Sequence, residues 1–150
     1  MKKHNGARLY NILFPIWMLI LIPTFWLIII PSNFIFDSAV FIISMRIMKI
    51  AEKKVWYKKH ILKIFTFGMI ADIIGASYII LLIWGFDIGI TGDELYLTIP
   101  AVLLSAVMIF LFNFFITFRK IERKQRIQLS LIFALITAPY TFLIPTSWIY

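Results

Sequence analysis

The chain has 150 residues, 62% of them hydrophobic, with a mean hydropathy of +0.94. A water-soluble domain of this length has too little interior to hide so much apolar surface, so the composition excludes a soluble globular fold and calls for a bilayer as the solvent of the outer faces. A net charge of +8 would suggest nucleic acid as the partner of a soluble protein, but here topology accounts for the charges and no nucleic acid is expected. The absence of cysteine removes disulfides, thiolate metal sites, cysteine nucleophiles and S-acylation together.

The first eight residues, with Lys2, Lys3 and Arg8, have the charge of a signal-peptide start. The apolar run behind them, from about 9 to 30, is longer than a signal core. It ends in Pro31-Ser32-Asn33 without a small-x-small cleavage site, so an uncleaved first span is expected. Further apolar segments follow at about 34–48, 64–85, 96–118 and 127–149. Four of the five are long enough for a hydrocarbon core of about 30 Å at helical rise. The segment 34–48 covers only about 25 Å unless Arg46 and Lys49 lift their charges to the surface. The expected fold is an all-α integral membrane protein, a single transmembrane domain built as a five-span helical bundle. Four spans plus an interfacial or re-entrant segment is the alternative.

Charge placement sets the expected orientation. Three basic residues precede the first span, seven (Arg46, Lys49, Lys53, Lys54, Lys58, Lys59, Lys63) lie between spans two and three, and five (Arg119, Lys120, Arg123, Lys124, Arg126) lie between spans four and five. Together they are every Lys and Arg of the chain. If segment 34–48 crosses, all three clusters share one side, which the positive-inside rule makes cytoplasmic. The amino terminus is then inside and the carboxyl terminus outside. Tyr10, Trp56 and Tyr57 fall near the inner interface and Trp84, Tyr96, Trp148 and Tyr150 near the outer one, as aromatic belts require. The Ile-, Phe- and Lys-heavy usage fits the plasma membrane of a bacterium.

Only two acids, Asp37 and Asp72, lie inside apolar spans. A charged Asp at the bilayer centre costs about 2.5–3.5 kcal/mol on insertion scales, and such acids face protein or a wet cavity. Counting from Lys63 and Lys49 at helical rise puts Asp72 about 14 Å and Asp37 about 18 Å above the same boundary. Thr137, counted from Arg126, comes to about 16 Å. These three form the candidate intramembrane polar site. One reading is a carboxylate pair that shares a proton or holds a cation, since two nearby acids in low dielectric cannot both ionise cheaply. The other makes Asp37 a helix-start residue after Pro31-Ser32-Asn33 and Asp72 a neutral, hydrogen-bonded packing acid.

Around Asp72, Gly68, Ala71, Gly75 and Ala76 recur at helical spacing and form a low-profile stripe for close helix approach, either within the chain or across a homo-oligomer seam. On the basic side, Lys53, Lys54, Lys58, Lys59, Arg123 and Lys124 are candidate contacts for anionic lipid, at about 1 kcal/mol per basic residue. No metalloprotease, nucleophile-elbow or phosphate-loop signature is present, and His4 and His60 stand apart among lysines. No catalytic residue, metal site or cofactor is therefore expected. Two functions follow as expectations. The first is a structural or accessory subunit packing against itself or another membrane protein, and the second is a small transporter or channel for protons, cations or a small solute through Asp72 and Asp37.

Overall fold

The computed structural model describes residues 22–86 and 95–144, and among them there is no strand. Helix α1 is Pro23–Ile47, α2 is Lys53–Gly85, and α3 is Leu95–Phe112, continuing as a π-helical turn, Asn113–Thr117. Helix α4 is Arg123–Ile136, followed by a 3-10 turn, Tyr140–Leu143. Four helical stretches are long and apolar enough to cross a membrane: Pro23–Ile47, Lys53–Gly85, Leu95–Thr117 and Arg123–Leu143. The all-helical class agrees with the sequence reading, and the four helices are compatible with a multi-pass membrane protein. The five-span count is not established by them. Residues 9–21 of the expected first span, the acidic connection 87–94 and residues 145–149 lie outside the described residues.

Three boundaries differ from expectation. The break expected at Pro31-Ser32-Asn33 does not occur, because α1 runs through it for 25 residues. A single internal proline removes one helical hydrogen bond, and in a long apolar helix that loss bends the helix without ending it. Helix α1 starts instead at Pro23, within the first turn, where the fixed proline φ suits a helix start. The expected division at 31–33 therefore falls inside one helix, and residues 34–47 continue α1.

Helix α2 begins eleven residues before its apolar stretch, so the basic segment from Lys53 to Lys63 is a helical extension of this span. A tight turn precedes it, in which Lys49 takes a left-handed φ of 53°. At the other end of the chain, α4 stops at Ile136, short of the expected 127–149. Pro139 has no N–H and disfavours helical backbone at the residue before it, so the chain leaves the helix at Thr137 and tightens into the 3-10 turn.

Two clusters hold the bundle together. Phe41, Phe118 and Phe133 are fully buried and meet with ring centroids 6.0–6.4 Å apart, while Met45, Ile64, Ile109 and Leu129 close around them. Ala76, Ile79, Ala101, Val102, Ala138 and Phe142 form the second cluster, toward the other end of α2. Leu27, Ile28, Ile35, Leu81, Trp84 and Leu103 point outward and are more than half exposed, the disposition expected where lipid is the outer solvent. The turn after α1 and the turn after α3 come together: Glu52, Trp56, Lys59 and His60 border one cavity with Lys120, Glu122 and Gln125. All the described Lys and Arg residues therefore gather toward one end of the bundle.

Candidate functional site

Asp37 is the first buried residue of α1, followed at helical spacing by Val40, Phe41, Ser44 and Met45. Asp37 reaches α2 at Gly68. A methyl group added to Gly68 would lie 3.5 Å from the Asp37 Oδ2, so the missing side chain leaves a place for the carboxyl. Asp72 is one helical turn further along the same face of α2, and Asp37 is close enough to interact with it electrostatically. Both acids are buried, at 6% and 8% exposure, and the Asp72 Oδ1 has no hydrogen-bond partner. Asp37 thus meets α2 at Gly68, one turn from Asp72. Their surroundings do not match the hydrogen-bonded packing acid, because a buried carboxylate oxygen without a donor is strongly disfavoured.

Thr137 does not join them. Its hydroxyl donates to the Phe133 carbonyl of its own helix at 2.8 Å, which satisfies it locally at the end of α4. Ser44 does the same toward Val40, at 2.7 Å.

The small-residue stripe is consumed within the chain. Ala71, Gly75 and Ala76 are buried, and Gly68 is half-buried beneath Asp37. Helix α3 crosses at Gly75, where the space of a side chain is taken by the Ser105 hydroxyl and, at 3.0 Å, by the Ala101 carbonyl. Ser105 donates across the interface to the Ala71 carbonyl at 3.0 Å. Helix serines commonly bond their own backbone, whereas Ser105 ties two helices together. The low profile at Gly75 is what allows that bond.

The lipid-contact candidates Lys53, Lys54, Lys58, Lys59, Arg123 and Lys124 are all exposed at the starts of α2 and α4. His60, expected to be an ordinary surface residue, is 6% exposed. Its Nδ1 donates to the Trp56 carbonyl at 2.9 Å, and its ring packs on Phe41 and Phe118. Among the described residues, no three His, Cys, Asp or Glu are placed to hold a metal ion.

Sequence reasoning missed Asn113, Thr117 and Ser130, which are buried and unpartnered. The signal was available for the first two: a neutral amide and a hydroxyl four residues apart near the end of an otherwise apolar span. Neutral polar groups carry no insertion penalty comparable to a carboxylate, so they draw less attention.

Compared with protein-family models, curated proteins and solved structures, the chain matches none.

Proposed function

We propose that the chain is a small multi-pass membrane protein that moves protons, with Asp37 and Asp72 as the paired carboxyls that take up and release them. The observation that carries this reading is the buried Asp72 Oδ1, which has no donor and stands beside a second buried acid. Intramembrane acids that face protein mark ion and proton pathways, and a shared proton relieves the repulsion of two carboxyls in low dielectric. The basic ends of α2 and α4 face the cytoplasm of a bacterial-type plasma membrane by the positive-inside rule, with Lys53, Lys54, Lys58, Lys59, Arg123 and Lys124 on the anionic headgroups.

Flux in sealed liposomes tests the proposal. Wild type is expected to dissipate an imposed proton gradient, and Asp72→Asn is expected to reduce that flux at least tenfold. Undiminished flux in Asp72→Asn contradicts the proposal, as does the absence of flux in wild type.

A second reading, an accessory subunit, would use the first half of α1, where Leu27, Ile28 and Ile35 project outward to meet lipid or a partner helix. It requires a partner helix there, because the stripe around Gly75 is already occupied by α3. Under this reading Leu27→Trp disrupts co-purification with another membrane protein after mild solubilisation. A chain that remains monomeric and partner-free rules the reading out.

A further inference from the structure

Among the described residues six buried side-chain atoms lack a hydrogen-bond partner, and five of the six belong to the hairpin of α3 and α4: Asn113 Nδ2 and Oδ1, Thr117 Oγ1, Arg126 Nε and Ser130 Oγ. Asn113 and Thr117 are four residues apart on the π-helical turn, and Arg126 and Ser130 are four apart on α4, so each pair lies along one face of its helix. The turn and α4 pack against each other. The Arg126 guanidinium lies over the Phe114 ring, 4.2 Å from its centroid, which fixes the level at which the two helices meet. Asn113, Thr117 and Ser130 are 1%, 4% and 0% exposed.

This arrangement is not how the chain treats its other buried hydroxyls. Ser44 and Thr137 donate to the carbonyl one turn back, and Ser105 donates to α2. Thr117 and Ser130 have the same local option and do not take it. The π-helical turn contributes to this: its bond from the Phe118 N–H to the Asn113 carbonyl, at 2.9 Å, widens the helix and re-aims the side chains, as such turns do at functional sites.

Four of the five unpartnered atoms offer a hydrogen: the Asn113 amide nitrogen, the Thr117 and Ser130 hydroxyls and the Arg126 Nε, whose guanidinium also donates to the Arg119 carbonyl at 3.3 Å through another nitrogen. A set of unpartnered donors on two elements packed against each other favours an anion, and the charge around it agrees. All the described Lys and Arg residues gather toward this end of the bundle, and the positive end of α4 begins at Arg123. A cation would meet that same field as repulsion. We propose that the α3–α4 hairpin binds a small monovalent anion of the halide class, admitted from the basic end. Asn113, Thr117 and Ser130 donate neutral hydrogen bonds to it, and Arg126 supplies the balancing charge. The Asn113 Oδ1 accepts from a water that accompanies the partly hydrated ion.

The test is a halide titration of the purified full chain in nanodiscs, following the midpoint of thermal unfolding in sodium chloride, sodium bromide and sodium gluconate at equal ionic strength. Chloride and bromide are expected to raise the midpoint relative to gluconate, and exchanging sodium for choline is expected to change nothing. Thr117→Val and Ser130→Ala each remove one donor with little change in volume, and each is expected to weaken the apparent chloride affinity about tenfold. Asp72→Asn is expected to keep the full halide response, so this site stands or falls independently of proton movement. Equal midpoints in chloride and gluconate overturn the proposal even if neither hairpin variant folds. An undiminished chloride response in Thr117→Val and Ser130→Ala also overturns it. So does a rise in their midpoints that is the same in every salt, which marks the junction as holding water alone.

Discussion

Gly75→Leu is expected to prevent the bundle from assembling, and Gly75→Ala to destabilise it by about 2–3 kcal/mol, the upper range for forced overpacking. The first added carbon meets both the Ser105 hydroxyl and the Ala101 carbonyl. Ser105 can rotate away only by giving up its bond to the Ala71 carbonyl, which leaves its own buried hydroxyl unpaired at a cost of about 1–3 kcal/mol. The Ala101 carbonyl belongs to the backbone of α3 and moves only with the helix. Gly68→Ala and Gly85→Ala are the internal controls. The first makes an ordinary contact with Asp37 and the second meets nothing, so both are expected to stay within about 1 kcal/mol of wild type. Thermal unfolding in detergent, read beside the yield of monodisperse protein, distinguishes the three. A Gly75→Ala protein as stable as Gly68→Ala would show that α3 does not cross at this point.

Asp72→Leu is expected to stabilise the protein while removing its activity. Leu has the same branched skeleton as Asp but no polar atom, so it fills the site without leaving an oxygen unsatisfied. Relief of one buried, unpartnered group raises stability by about 1–3 kcal/mol. A packing acid that held helices together by hydrogen bonds would give the opposite sign, since its removal loses bonds and leaves donors orphaned. Stability and flux moving in opposite directions is the signature of a residue kept for function at a cost to the fold. A fall in the unfolding midpoint for Asp72→Leu would return Asp72 to a structural role.

The class of fold was legible because it depends on hydropathy summed over long windows, which local detail hardly disturbs. The burial of the two acids follows from a related regularity. Helical rise is constant, so counting from Lys49 and Lys63 put Asp37 and Asp72 at similar depths near the midplane, and both are buried. The division at Pro31 was misread because Pro-Ser-Asn is turn chemistry in water, whereas a long apolar helix loses only one hydrogen bond there and continues. The stripe from Gly68 to Ala76 announced close approach but not the approaching element, and its two ends serve different partners, α1 at Gly68 and α3 at Gly75. Asn113, Thr117 and Ser130 could not be grouped from sequence. The packing of the turn that carries the first two against the helix that carries the third depends on the hairpin closing at 118–122 and on a π-helical turn that no residue pattern marks.

The central claim is that Asp37 and Asp72 act as one unit, and the most direct measurement is proton flux in liposomes for Asp37→Asn, Asp72→Asn and the double variant. Residues that work together lose their effect together, so each single substitution is expected to lower flux at least tenfold and the double variant to be no slower than the worse single. Wild-type flux in either single variant, or a double variant whose loss is the product of two independent losses, would contradict the pair.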